Sequence, residues 1–241
     1  MPSTLRYSCS LLFVLMAIMG QAQVDTLKVK PEKDWKPSMI RPYWNLARTV
    51  GSATKDFRNS GEVGIEFDTH NFLISAEGGI ETNHRVGENY DYTNSGTYWR
   101  VGIENNFIPW SKERNTATLG IRYAQSRFSD EIVYETNSLF FQDINALELR
   151  AMNEKVKASW LELSGGIKVR VWKELYLGAT VRVKTRKRVS DTDELIPYDI
   201  PGFGRHKKNG VDVKDSNAGF DYYVAWRFGF REKEIPKKLD F

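Results

Sequence analysis

The chain has 241 residues, of which 13% are aromatic and 27% are charged, and its formal net charge is +4. This aromatic content excludes a disordered chain, and the small net charge gives no argument for nucleic-acid binding. The single cysteine is Cys9, so we expect no disulfide and no thiol chemistry in the rest of the chain.

The first 22 residues predict a cleaved secretory signal peptide. Arg6 precedes the apolar run LLFVLMAIM, and Gly20 and Ala22 suit cleavage before Gln23. An uncleaved signal anchor is the alternative. The apolar run is shorter than the roughly 20 residues that a membrane-spanning helix needs, which favours cleavage.

After residue 43, apolar and polar residues alternate in about eight segments, which predicts β-strands. The first segment, around Trp44–Ser52, is the least regular. The others are GEVGIEFD, FLISAEGGI, TYWRVGIENNF, TLGIRYAQ, WLELSGGIKVRV, LYLGATVRVKT and FDYYVAWRFGF. Each is close to the ~9–11 residues that a tilted transmembrane strand needs.

The two faces of these segments differ in a way that favours a membrane barrel. One face is apolar, and the other mixes small residues such as Gly64, Gly102 and Gly178 with single charges. A soluble sandwich would carry dense charge on its exposed face, whereas small residues beside isolated ions suit a narrow interior. A soluble secreted sandwich or lipocalin-like barrel is the alternative.

The connections between the segments alternate in length, as in outer-membrane barrels. We expect short turns at about 68–71, 108–116 and 172–174, and long loops at about 81–96, 129–156 and 186–217. The sequence therefore predicts an all-β, eight-stranded antiparallel transmembrane up-and-down β-barrel with short periplasmic turns and long extracellular loops. Its predicted location is the outer membrane of a Gram-negative bacterium, with both termini in the periplasm.

These predictions divide the chain into four parts. They are a cleaved signal peptide (1–22), a periplasmic N-terminal extension (23–43), the outer-membrane β-barrel (44–230) and a periplasmic C-terminal tail (231–241). The barrel implies outer-membrane lipid as its surroundings.

The last segment has the features of an assembly signal. Apolar and aromatic residues occupy every second position, at Phe220, Tyr222, Val224, Trp226, Phe228 and Phe230. Such a strand resembles the C-terminal signal by which the barrel-assembly machinery recognises its substrates, so we expect that machinery as a partner during biogenesis. The chain departs from the pattern because it continues after Phe230 with REKEIPKKLDF.

Alternation assigns a set of charged residues to the barrel interior. They are Glu66, Glu77, Arg100, Glu104, Arg122, Glu162, Lys168, Arg170, Arg182, Lys184, Asp221 and Arg227. An eight-stranded barrel is just wide enough to be filled by side chains, and buried charges must pair. We predict a salt-bridge network that plugs the lumen. An anion path lined by the surplus of Arg and Lys is the alternative.

Two basic clusters lie in the predicted loop at 186–217. We predict that they contact lipopolysaccharide phosphates or a partner protein of the outer membrane, because arginine binds phosphate bidentately. A solvated loop is the alternative. The residues are Arg186, Lys187, Arg188, Arg205, Lys207 and Lys208. Between the clusters, IPYDIPGFGR predicts an ordered loop that folds over the barrel mouth or against a partner.

The sequence carries no recognisable catalytic or metal motif. His70, His84 and His206 lack metal-ligand spacing, and nothing in the sequence selects a partner for His84. We therefore expect no cofactor, no metal, no nucleic-acid partner and no enzymatic activity. An outer-leaflet lipid-modifying enzyme and a small pore are the alternatives.

The run WLELSGGIKVRVWKELYLGATVRV, with IPGFGR at 200–205 and NAGFDYYVAW at 217–226, carries a family resemblance. It resembles a family of uncharacterised outer-membrane barrel proteins of the Bacteroidetes, known only as a domain of unknown function. The likeness extends from about Trp44 to Phe230. It implies a fold and a location but no activity, so no catalytic residue follows from it.

Overall fold

The computed structural model describes residues 34–53, 58–136, 147–190, 192, 195–206, 213 and 215–235. The predicted signal peptide at 1–22 lies outside these residues. Of the two predicted flanking parts, residues 34–43 and 231–235 are described.

Long strands make up most of the described chain. In chain order the elements are β1 (Met39–Asn45), α1 (Leu46–Ala53), β2 (Arg58–Thr69), β3 (Phe72–Val86), β4 (Tyr90–Asn106), β5 (Thr116–Thr136), β6 (Leu147–Trp172), β7 (Leu175–Val189), β8 (Asp199–Ile200), β9 (Gly204–Arg205), β10 (Ser216–Trp226) and β11 (Phe228–Gly229). In the part of the chain that is described, no helix is long and apolar enough to cross a membrane.

Eight of the strands close into a ring. From β1 to β7, each strand pairs antiparallel with the next one in sequence, β7 pairs with β10, and β10 returns to β1. At the closing seam, Tyr43 lies opposite Ala225 and Asn45 lies opposite Tyr223. The short strand β11 continues along β1. The predicted eight-stranded antiparallel up-and-down β-barrel is therefore confirmed.

The barrel is apolar outside and polar inside. On β6, Leu161, Leu163 and Ile167 are 40–55% exposed, whereas Glu162 and Ser164 are 1% and 0% exposed. This arrangement inverts that of a soluble protein and is typical of a transmembrane barrel.

The exterior apolar band has the height of a membrane core. On β6 it extends from Leu161 to Val171, a distance of about 33 Å along the strand at ~3.3 Å per residue. A strand tilted by about 40° converts this length into roughly 25 Å along the barrel axis, which is the usual height of the band in outer-membrane barrels.

The predicted first strand is wrong in position and partly wrong in type. β1 begins at Met39, before the predicted barrel start at residue 44, and residues 46–53 form the helix α1. Asn45 caps this helix, since its Oδ1 accepts a hydrogen bond from the Arg48 amide at 3.2 Å. Pro42 obscured the strand because proline is rare within sheets.

Two of the predicted long loops are mainly strand. β3 and β4 are separated only by residues 87–89, so the expected loop at 81–96 is absent. β5 continues to Thr136 and β6 begins at Leu147, which replaces most of the expected loop at 129–156. The sequence concealed these extensions because the apolar outer face ends before the strands do. On β3 both faces are then polar, as at Thr82 and Asn83, and on β5 the apolar residues Phe128 and Ile132 lie on the buried inner face instead.

Within the third predicted loop, residues 195–206 fold into the barrel mouth, which is one of the two arrangements expected for IPYDIPGFGR. Residues 195–206, here called the mouth segment, contain the β8–β9 hairpin. Ile200 and Phe203 are buried in one apolar cluster with Tyr98 and Trp160. Gly202 adopts a φ of +80°, and a Cβ at this position would lie 2.6 Å from the Tyr98 ring. Glycine is therefore needed here both for its backbone conformation and for its small size.

The short connections β2–β3, β4–β5 and β6–β7 all lie at one end of the barrel, which we call the short-turn end. The first and last described residues of the chain meet there. Arg231 Nη1 donates to Asp34 Oδ2 at 2.6 Å, and the Phe230 amide donates to Ser38 O at 3.1 Å. The hydrogen bond from Arg231 holds the pKa of the Asp34 carboxyl below its ordinary value. The Ser38 amide also donates a hydrogen bond to Asp68 Oδ1 at 2.7 Å.

Replacing Gly202 by valine is expected to displace the mouth segment. The new side chain would clash with Tyr98 and would have to adopt a positive φ, which β-branched residues strongly disfavour. We expect faster tryptic cleavage after Arg205 in folded Gly202→Val protein. Gly165→Ala is the matched control, since a Cβ there meets nothing closer than 3.7 Å. Equal protection of Arg205 in both variants would contradict this packing.

Candidate functional site

Glu77 of β3 lies at the centre of the charged lumen. Arg100 Nη1 donates to Glu77 Oε2 at 2.6 Å, and Arg182 Nη2 donates to Oε1 at 3.0 Å. Arg122 forms a further ion pair with this carboxylate. Tyr43 also donates its hydroxyl to Oε1 at 2.7 Å. One buried carboxylate therefore joins five strands of the ring.

Glu62 of β2 forms a second centre beside it. Arg100 Nη1 lies 2.8 Å and Arg48 Nε lies 3.0 Å from Glu62 Oε2. The Tyr98 hydroxyl donates to the same oxygen at 2.7 Å. Arg48 reaches this carboxylate from α1, so the helix contributes a cation to the lumen.

Two further carboxylates share the same arginines. Arg100 Nε lies 3.1 Å from Glu162 Oε1, and Trp160 Nε1 donates to that oxygen at 2.7 Å. Arg182 Nη1 lies 3.3 Å from Asp221 Oδ2. Each arginine thus neutralises more than one acid, and each acid contacts more than one donor.

A tyrosine layer and two ion pairs lie toward the short-turn end. Glu66 pairs with Lys168 and, at 3.2 Å, with Arg41 Nε. The Arg41 guanidinium lies 4.6 Å from the Tyr176 ring centroid, and the Lys168 ammonium lies 5.5 Å from that of Tyr43. These cation–π contacts help to hold the desolvated cations.

The mouth segment is bonded to the charged lumen. Lys184 Nζ donates to Gly202 O at 2.7 Å and to Phe203 O at 3.3 Å. The Gly202 amide donates to Glu81 Oε2 at 3.1 Å. The same oxygen lies 3.0 Å from Arg48 Nη1. The segment therefore depends on lumen charges as well as on its apolar contacts.

On the short-turn side of the mouth segment, the described charged groups that fill the lumen balance; the buried carboxyls of Asp130 and Asp199 lie beside and within the mouth segment and are not counted among them. We call the balanced groups the lumen network, and every one of their side chains is at most 9% exposed. Its carboxylates are Glu62, Glu66, Glu77, Glu81, Glu104, Glu162 and Asp221, and its cations are Arg41, Arg48, Arg100, Arg122, Arg182, Lys168 and Lys184. The surplus of cations expected from the sequence is absent from this network.

Two of the charges predicted for the interior lie elsewhere. Arg170 is exposed near the short-turn end, where the β6–β7 register shifts between Arg170 and Trp172. Arg227 follows the end of β10 and lies 3.0 Å from Glu174 at the rim. Alternation alone does not reveal where the lumen ends. The other ten predicted residues belong to the lumen network.

Four members of the network were missing from the sequence-based set. Arg41 was assigned to the N-terminal extension, and Arg48 to a strand that is instead α1. Glu62 lies within the predicted segment GEVGIEFD but was not assigned to the interior, and Glu81 directly follows the segment FLISAEGGI. Both continue the two-residue spacing of Glu66 and Glu77, so extending the alternation would have found them.

The predicted surface residues occupy different places. Lys187 and Arg188 are exposed on β7, and Arg205 is exposed on β9. Arg186 forms an ion pair with Asp215. Lys207 and Lys208 lie outside the described residues.

In the last strands, the proposed assembly residues Phe220, Tyr222, Trp226, Phe228 and Phe230 are exposed and Val224 is half-buried.

The exterior also contains an apolar groove beside the closing seam. Its volume is about 690 Å³, and Pro42, Trp44, Val63 and Trp226 contribute to its lining. Pro42 cannot donate a hydrogen bond to its neighbouring strand. The groove belongs to the exterior apolar band.

His84 has a partner that the sequence did not identify. Its Nε2 lies 2.8 Å from Asp91 Oδ1, and both side chains are about half exposed on the outer wall. Among the described residues, no hydrogen bond joins His84 to a serine or threonine hydroxyl. No group of three or more His, Cys, Asp and Glu suited to a metal ion occurs in the described part of the chain.

Neutralising Glu77 is expected to destabilise the barrel strongly. Glu77→Gln keeps the side-chain shape but leaves three buried guanidiniums without a shared counterion, which costs about 3 kcal/mol or more. The free energy of unfolding from lipid vesicles in urea measures this cost. Glu154→Gln, at an exposed position of β6, is the control and should change stability by less than about 0.5 kcal/mol. Equal stability of the two variants would contradict the role of Glu77.

A comparison with proteins of curated function gives no match. Among solved structures, the chain is similar to Neisserial surface protein A (NspA) at 10% identity, with 80% of this chain and 96% of that chain covered and a TM-score of 0.40. It is also similar to a major outer membrane protein from Thermus thermophilus at 10% identity, with 80% and 99% covered and a TM-score of 0.45. A family model matches residues 4–233, and the chain therefore belongs to the family described as Domain of unknown function (DUF6048).

Proposed function

We propose that the protein is a non-enzymatic integral β-barrel of the outer membrane, closed by its own side chains, whose outer end contacts lipopolysaccharide or a partner protein. One observation carries this proposal: an apolar exterior band surrounds a buried lumen network in which the described charges balance. Such a barrel would contact lipid through a continuous apolar surface and would leave no open path for solutes through its lumen.

The orientation that we propose places the short-turn end in the periplasm. The predicted signal peptide would deliver the N-terminus there. Near that end of the barrel, Arg231 donates a hydrogen bond to Asp34, which joins the last described residues to the first. The strands β5 and β6 extend far beyond the apolar band at the opposite end, as extracellular ends of such barrels do. The Bacteroidetes origin and recognition by the barrel-assembly machinery stay predictions.

Two barriers in series support a closed lumen. A hydrated ion would first meet the mouth segment, where Phe203 packs against Trp160 with ring centroids 5.7 Å apart. It would then have to separate the contacts of Glu77 and Glu62. Breaking a buried ion pair costs several kcal/mol, and a balanced network offers neither sign of ion a net attraction.

Reconstitution in planar bilayers tests closure. The wild-type chain is expected to give no unitary conductance. Replacing residues 196–205 with a short Gly-Ser linker removes only the first barrier, so this variant should also stay closed. Steady conductance steps from the wild-type protein would contradict the proposal and favour the small pore.

A lipid-modifying enzyme is the second candidate, and the His84–Asp91 pair on the outer wall is the observation that favours it. We expect His84→Ala and His206→Ala cells, and cells lacking the protein, to have lipid A of unchanged mass spectrum. A lipid A species lost from both the His84→Ala and the deletion strain would overturn the non-enzymatic proposal.

A further inference from the structure

A group of cations on the outer wall lies apart from the lumen network. We call it the wall patch, and it consists of Arg127 on β5, Lys155 and Lys157 on β6, and Lys187 and Arg188 on β7. All five side chains are exposed. None forms an ion pair with the part of the chain that is described. The nearest carboxylate in sequence, Glu154, is also exposed and has no such ion pair.

The strand register places like charges side by side. Arg127 lies directly opposite Lys157 across the β5–β6 ladder. Opposite residues have Cβ atoms about 5 Å apart, and like charges at that separation destabilise a sheet. An anion lying between the two side chains would remove this repulsion. The pairing therefore indicates a site that is completed by a ligand.

Hydrogen bonds between Lys157 and Ser190, the residue that follows β7, hold the end of β7 beside β6 at the wall patch. The Lys157 amide donates to Ser190 Oγ at 3.0 Å, and the Ser190 amide donates to Lys157 O at 2.8 Å. Arg188 lies opposite Ser159, where a register irregularity separates Ser159 from Trp160. Lys187 is the extra residue at this irregularity, so Lys187 and Arg188 are both exposed on the outer surface although they are neighbours in sequence.

The height of the wall patch matches lipid headgroups. The apolar band ends at Tyr123 and Leu161, which lie opposite each other. Arg127 and Lys157 are each four residues farther along, about 13 Å along the strand and roughly 10 Å along the axis of a tilted strand. Long basic side chains lean back toward the membrane, so their charged ends lie at the headgroup level.

We propose that the wall patch binds the phosphate groups of lipid A in the outer leaflet. Arg127 and Lys157 would hold one phosphate, with the guanidinium donating bidentately, and Lys187 and Arg188 would hold the second. The acyl chains would then extend over the apolar band below. This inference rests on the proposed orientation and identifies β5 and β6 as partners of the basic residues on β7.

The test is a titration of the full chain in neutral detergent micelles with lipid A, with phosphate-free lipid A and with phosphatidylglycerol. Arg127→Gln/Lys157→Gln should weaken lipid A binding by about thirtyfold, since two cations near an anionic surface are removed. Lys36→Gln/Lys112→Gln, at exposed positions near the short-turn end, is the control and should change binding by less than about twofold.

Each other outcome overturns the inference. Equal losses in the test and control variants would indicate non-specific attraction, and an unaffected test variant would place the phosphates elsewhere. Equal binding of phosphate-free lipid A would exclude phosphate recognition, and tighter binding of phosphatidylglycerol would exclude lipid A as the occupant. None of these results concerns the closed lumen, which the conductance experiment tests separately.

Discussion

Charge buried in a narrow lumen is the constraint on which this structure depends. An unpaired ion in that position costs several kcal/mol, so each member of the lumen network must contact partners from other parts of the chain. Arg182 of β7 reaches Glu77 of β3 across the whole ring, and Arg100 joins Glu62, Glu77 and Glu162. These contacts fix the registers of distant strands together, because a slip of one residue would turn charges toward lipid.

The irregular parts of the fold serve the same network. The helix α1 interrupts the strand sequence and thereby brings Arg48 to Glu62 and Glu81. The mouth segment returns into the barrel and bonds to Lys184 and Glu81. From the short-turn end to the mouth, the interior therefore changes from tyrosines to ion pairs to an apolar cluster, while the exterior keeps one continuous apolar band.

How much the sequence predicts depends on the contrast between the two faces of a strand. Where lipid-facing residues alternate with single charges, as at Leu161, Glu162 and Leu163, strand, face and fold class follow directly. Beyond the apolar band the outer face becomes polar, so the alternation of apolar outer residues with inner charges no longer marks the strand. Spacing also cannot reveal contacts between non-neighbouring strands such as Glu77 with Arg182, nor that Arg170 lies past the end of the lumen.

Paired charges in the lumen are expected to hold the barrel together, and this expectation can be measured. A double-mutant cycle on Glu66 and Lys168, both buried, tests it most directly, with the free energy of unfolding from lipid vesicles measured for Glu66→Gln, Lys168→Met and the double variant. We expect a stabilising coupling of about 1–3 kcal/mol between the two side chains. Additive losses within about 0.3 kcal/mol would contradict it, because each residue would then act independently of its partner.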